Sequence, residues 1–109
     1  MKLCEIAKAL ALSEIAVPEG DRDVSGVYIG DLLSWVMGRA KSGDAWITIM
    51  SNVNIVAVAS LADVACIILA ESVTLDDDVR DTAKQKGVNV YSSSKNAYEL
   101  AVVISNFLK

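Results

Sequence analysis

Four consecutive residues, Cys66-Ile67-Ile68-Leu69, flanked by Ala65 and Ala70, offer no polar side chain to water. Successive side chains of a strand point to opposite faces, so such a strand needs apolar cover on both sides. A sheet with one wet face would alternate apolar and polar residues; this run belongs in a sheet held between two layers. Helical and strand-like segments alternate around it. Leu3, Ile6, Ala7 and Leu10 recur at helical spacing, with Lys2, Glu5 and Lys8 opposite, which predicts an opening amphipathic helix. Ser13 to Val17 reads as a short strand, Pro18 to Asp23 as the loop that ends it, and Val24 to Ile29 as the next strand. Asp31 is placed to cap a helix whose apolar face carries Leu32, Leu33, Val36, Met37 and Ala40 and which stops near Gly43.

The strand and helix unit then recurs. Trp46 to Met50 is a strand, Asn54 to Asp63 a helix and Ala65 to Ala70 a strand. Leu75 to Lys86 is a helix closed by Gly87, Val88 to Tyr91 the last strand, and Lys95 to Leu108 the final helix. This order predicts an α/β fold of three layers: a mostly parallel sheet of about five strands with helices on both faces, as a single domain over residues 1–109. The segment Ile55-Val56-Ala57-Val58-Ala59 is apolar all round, so it lies either in the core or in a subunit contact. Trp35 and Trp46 are both assigned to the core, as most tryptophans are largely buried.

Composition narrows the partners. Apolar residues make up 53% of the chain and charged residues 22%, more apolar surface than a domain of 109 residues easily hides, which favours a subunit contact. The net charge of −4, with ten basic residues scattered along the chain, supplies no stripe to neutralise a phosphate backbone, so no nucleic acid is expected. Glu5 and Lys8 interrupt the first helix, leaving no apolar secretion core, and Ser60 and Asp63 break the stretch from Ile55 to Ala70, which is too short to cross a bilayer. A cytoplasmic protein without membrane contact is expected. Cys4 and Cys66 fit no metal or disulfide spacing and read as reduced thiols, with Cys66 buried.

The chain contains no histidine, which removes the commonest general base and the usual Ser-His and Cys-His pairs. It has no P-loop, Gly-x-Ser-x-Gly or Gly-x-Gly-x-x-Gly motif. Asp76-Asp77-Asp78 follows Thr74 at a helix start, where acids offset the macrodipole and Thr74 with Asp77 matches a capping box; neither a metal nor a cofactor is expected. Asp21-Arg22-Asp23 reads as a solvated turn.

One polar group stands out by position. Ser51, Asn52 and Asn54 follow the third strand, Glu71, Ser72 and Thr74 the fourth, and Ser92, Ser93 and Ser94 the fifth. In a parallel sheet these loops share the carboxyl edge, where α/β domains bind ligands and helix N-termini offer N–H groups to an anion. Ser, Thr and Asn are also ordinary N-cap residues, so helix capping is the competing account of the same group.

The order of elements, with Asp23-Val24-Ser25-Gly26-Val27-Tyr28-Ile29-Gly30-Asp31-Leu32-Leu33-Ser34 ahead of Gly43-Asp44-Ala45-Trp46-Ile47-Thr48-Ile49, resembles stand-alone members of the DRTGG domain family over nearly the whole chain. Related domains occur in phosphotransacetylases, in pyrophosphatases that carry CBS domains, and ahead of the catalytic part of HPr kinases. The resemblance implies a regulatory, dimerising module without catalysis of its own. The namesake residues differ: Ser51-Asn52 stands where Asp-Arg is expected, and Ala70-Glu71-Ser72 where Thr-Gly-Gly is expected. The sequence therefore leads to a non-catalytic homodimer that binds a small anion or nucleotide through Ser51, Asn52, Asn54, Glu71, Ser72, Ser92, Ser93 and Ser94, or acts through a partner protein. The alternative is a switch protein phosphorylated by a partner kinase within Ser92-Ser93-Ser94.

Overall fold

The computed structural model describes residues 1–108. Its five strands are β1 (Ser13–Ala16), β2 (Gly26–Ile29), β3 (Asp44–Thr48), β4 (Cys66–Leu69) and β5 (Val90–Ser92). The helices are α1 (Leu3–Ala9), α2 (Leu33–Arg39), α3 (Asn54–Ala62), α4 (Asp77–Lys86) and α5 (Ala97–Leu108). One sheet runs in the order β1-β5-β4-β3-β2, with β2 to β5 mutually parallel and β1 antiparallel to β5.

Strands β3 and β4 occupy the centre, and every one of their residues is buried. Alternation sends Trp46, Ile67 and Leu69 to one face, packed with Val36, Ile55, Val56, Val58, Val79 and Ala83 from α2, α3 and α4. Ala45, Ile47, Cys66 and Ile68 go to the other face, against Leu3, Ile6, Leu100 and Ile104 from α1 and α5. The three crossovers from β2 to β5 step through the sheet in one direction, which puts their helices on one face. The terminal helices then cover the other. The apolar segment of α3 lies in the core, with Ala57 the one exposed residue between Ile55 and Ala59. Trp46 is fully buried, its indole N–H donating to the Gly30 carbonyl at 3.0 Å.

Trp35 departs from expectation: it is 52% exposed, with the Arg39 guanidinium stacked 3.7 Å from its ring centroid. Val36 turns inward on this seven-residue helix, and its neighbour in sequence must face out. Three local assignments also change. Asp31 does not cap α2; its Oδ1 accepts from the Thr48 hydroxyl at 2.6 Å and the Ile49 N–H at 3.0 Å, tying the end of β2 to the end of β3. Thr74 and Asp77 form no capping box, since α4 starts at Asp77 with Asp76 as an N-cap that makes no side-chain bond. A reciprocal cap forms on α5 instead: Glu99 N–H donates to Asn96 Oδ1 at 2.9 Å, and Asn96 N–H donates to Glu99 Oε1 at 3.2 Å.

The Asp21-Arg22-Asp23 segment keeps both acids exposed to solvent, as a solvated turn does, and also acts as a clasp. Leu3 N–H donates to the Arg22 carbonyl at 2.8 Å and Val24 N–H to the Met1 carbonyl at 2.7 Å. The Asp21 carboxylate accepts from the Cys4 N–H at 3.0 Å and the Cys4 thiol at 3.1 Å. Arg22 crosses beneath the sheet, donating to the Val64 carbonyl at 2.9 Å and pairing with Asp63 at 3.2 Å. Asp63 itself ends α3 in the left-handed region and accepts from the Ser42 hydroxyl. The segment thereby fastens α1, the end of α3 and the start of β4.

These contacts set the acid response. The Cys4 bonds hold the Asp21 carboxyl below its ordinary 3.8, and the Ser42 hydroxyl, then Arg22, do the same for Asp63. A carboxyl with a depressed folded-state pKa adds stability above its unfolded value and loses it as pH falls through the folded value. Urea unfolding should show stability falling as pH drops below about 4, with a shallower fall in Asp63→Asn. Burial pushes the Cys66 thiol up to about 12, whereas Cys4 is exposed. Alkylation of the native protein followed by intact mass should show Cys4 modified and Cys66 untouched until the chain is denatured.

A tight turn follows β4. Val73 N–H donates to the Ala70 carbonyl at 3.2 Å, and the central residues Glu71 and Ser72 both take positive φ, 60° and 63°. Left-handed backbone costs a side-chain-bearing residue about 1–2 kcal/mol, part of which glycine gives back through its looser unfolded chain. Glu71→Gly and Ser72→Gly should each raise stability by up to about 1 kcal/mol in denaturant titrations.

Candidate functional site

Direction decides where the edge of this sheet opens. After β4 the chain leaves toward α4, on the face shared with α2 and α3; after β5 it leaves toward α5, on the opposite face. Neighbouring parallel strands whose continuations part in this way leave a crevice beyond their carboxyl ends. The other neighbouring pairs, β2 with β3 and β3 with β4, send both continuations to one face and leave none.

A cleft of about 390 Å³ sits at that crevice, lined by Leu10, Ala11, Ser13, Ser72, Thr74, Ser92, Ser93, Ser94 and Lys95. Its floor is the end of β5, where Ser92 and Ser93 are each 9% exposed. Ser72 N–H donates to the Ser93 carbonyl at 2.8 Å, Glu71 N–H to the Lys95 carbonyl at 2.9 Å, and Ser93 N–H to the Leu69 carbonyl at 2.9 Å. These bonds lash the turn after β4 to the segment after β5. The Ser93 hydroxyl accepts from Lys95 N–H at 3.1 Å, and Ser92 is the closing residue of β5 rather than a loop residue. The Ser92 hydroxyl takes no part in these bonds.

Backbone strain concentrates here. Of the non-glycine residues with positive φ, Ala11 and Ser72 line the cleft and Glu71 adjoins it. Lys95 is half-buried and is the cation of the lining. The arrangement combines a cluster of hydroxyls with one ammonium group, beside the first turn of α5. It can accept and donate hydrogen bonds and balance one negative charge.

The residues singled out in the sequence divide into two sets. Ser72, Thr74, Ser92, Ser93 and Ser94 line the cleft, and Glu71 adjoins it through Ser72. Ser51, Asn52 and Asn54 stand exposed on the same sheet edge outside the lining, where the Asn52 side chain accepts from Asn54 N–H at 2.9 Å in a local turn. Sequence reasoning missed Leu10, Ala11, Ser13 and Lys95. Lys95 was findable as the basic residue adjoining the serine cluster; the others arrive through the antiparallel pairing of β1 with β5, Ser13 opposite Ser92, which no local pattern announces.

The reactive groups elsewhere are quiet. The hydrogen bond to Asp21 raises the Cys4 pKa and the same contact lowers that of Asp21, so the pair favours thiol with carboxylate and does not activate either group. No cluster of three or more metal-ligating side chains occurs among the described residues. No described helix is long and apolar enough to cross a membrane.

The family model of the DRTGG domain matches residues 2–107. No curated protein sequence matches the chain. A solved structure of the CBS and DRTGG domains from the regulatory region of Clostridium perfringens pyrophosphatase, complexed with its activator diadenosine tetraphosphate, superposes with a TM-score of 0.73 at 16% identity. The likeness covers 94% of this chain and 45% of that one, so the chain spans less than half the length of that regulatory region, and at this identity the likeness speaks for the fold. With the family match running over nearly its entire length, the chain belongs to the DRTGG domain family.

Proposed function

We propose that this DRTGG domain is a non-catalytic regulatory module that senses a small anion in the cleft between β4 and β5. The observation that carries the reading is the coincidence of three independent features at one place. The strand continuations part there, the strained backbone of Ala11, Glu71 and Ser72 surrounds it, and its lining is hydroxyl-rich around Lys95. Strained backbone persists where the surrounding structure fixes it, and it gathers at ligand clamps and switches. The regulatory region of the Clostridium perfringens pyrophosphatase, solved with a nucleotide activator, lends support from a protein of the same fold. For this chain a compact phosphate or acyl phosphate suits the cleft better than a whole nucleotide, because no aromatic side chain lines it to stack a base.

The absence of histidine, the buried Cys66 thiol and the unfavourable pairing of Cys4 with Asp21 support a module that does no covalent chemistry. We read it as a cytoplasmic homodimer that passes its ligand state to a partner protein; the exposed apolar residues Ile29, Leu32, Trp35, Ile49 and Val53 support a contact surface. In the kinase-substrate alternative the accepting residue is Ser94, the exposed member of the cluster, since a kinase must reach the hydroxyl in an extended segment and Ser92 and Ser93 are buried.

Inorganic phosphate or acetyl phosphate at millimolar concentration should raise the melting temperature of the wild-type protein. Lys95→Ala should weaken that binding by roughly tenfold or more, as expected for losing a charge-assisted contact of about 1.5–3 kcal/mol. Melting temperatures unmoved by phosphate, acetyl phosphate and nucleotides alike would contradict the sensing role. Intact mass showing an added phosphate after co-expression with a partner kinase, assigned to Ser94 by peptide fragmentation, would favour the alternative.

A further inference from the structure

The two edges of the sheet are built differently. Edge strand β1 is protected in the usual ways: its ladder is irregular between Glu14 and Ala16, Glu14 is exposed, and Pro18 follows it. Edge strand β2, Gly26-Val27-Tyr28-Ile29, has no charge, proline or bulge and keeps regular register with β3 along its whole length. Natural sheets blunt a bare, flat edge because it is a template for another strand. The Gly30 N–H donates to the Ile47 carbonyl, so by alternation Tyr28 faces β3, and Val27 and Ile29 turn their N–H and C=O groups to the open side.

Charge along this edge is polar from end to end. Arg39 and Lys41 line a cleft beside Gly26, Val27 and Tyr28, at the amino end of the strand. The acids at that end are engaged: Asp23 with Lys2 at 3.4 Å, and the buried Asp44 with the Lys41 N–H at 2.8 Å. At the carboxyl end stands Asp31, exposed, with its Oδ1 on Thr48 and Ile49. An antiparallel copy of the same strand sets each end beside the opposite one, cation against carboxylate, whereas a parallel copy would set like charges together.

We infer that β2 is the subunit interface, pairing antiparallel with β2 of a second copy across a two-fold axis to make one continuous sheet of both molecules. The inference rests on the homodimer proposed above and names its surface. The pairing satisfies the outward backbone groups of Val27 and Ile29, and covers Ile29, Leu32 and Trp35, exposed by 48%, 56% and 52%. Trp35 on α2, with Arg39 stacked on it, stays outside the core and is open to such a contact.

Sedimentation velocity of the full chain across the micromolar range tests it. The wild type should show a concentration-dependent dimer that weakens as salt rises. Ile29→Pro removes one outward N–H without touching the ladder to β3, and Ile29→Lys brings two ammonium groups together across the axis; each should weaken dimerisation by roughly tenfold or more. Circular dichroism melts confirm that each variant is folded, and either folded variant suffices. A wild-type dimer left intact by both substitutions overturns the assignment of the surface while the homodimer stands. A wild type that is monomeric throughout overturns both.

Discussion

Everything in this molecule follows from burying β3 and β4 on both faces. Neither strand carries an exposed residue, so two separate layers of helices are required, and chain order determines which helices make them. The unidirectional crossovers place α2, α3 and α4 together, leaving the opposite face to α1 and α5. The change of face happens once along the parallel strands, between β4 and β5. The cleft is thus a by-product of covering the sheet.

The opposite edge bears the mechanical load. Arg22 reaches the Val64 carbonyl and Asp63, while Asp21 and Asp23 hold Cys4 and Lys2 on α1 and its leading residue. These polar groups are thereby consumed in joining α1 to the sheet. At the carboxyl edge, by contrast, backbone groups bind the two loops to each other, and Ser72, Thr74, Ser94 and Lys95 line the cleft between them. A second cleft, of about 340 Å³, lies at the amino edge, lined among others by Glu19, Arg22, Ser60, Asp63 and Lys86, but its Arg22 is committed to Asp63 and the Val64 carbonyl.

The fold was legible because the strongest signals were physical necessities: the apolar run of β4, the period of α1 and α5, and Gly87 closing α4 with φ 71°. Strand limits slipped by about two residues where polar positions such as Asp44 and Ser92 pair inside the sheet, against their usual loop preference. Capping was misjudged where a side chain had a tertiary partner on offer, as Asp31 had in Thr48. The serines of the cleft could be picked out by position after each strand. Leu10, Ala11 and Ser13 could not, because their place depends on β1 adding antiparallel to β5, a contact between opposite ends of the chain.

Backbone amide shifts of the isotopically labelled protein, followed by NMR during titration with inorganic phosphate, test the central claim most directly. The account predicts saturable shifts in Ser72, Val73 and Thr74 and in Ser93, Ser94, Lys95 and Asn96, with those at Ser51 and Asn52 unmoved. Shifts centred on Arg22, Ser60 and Lys86 at the amino edge, or none at any amide, would contradict it.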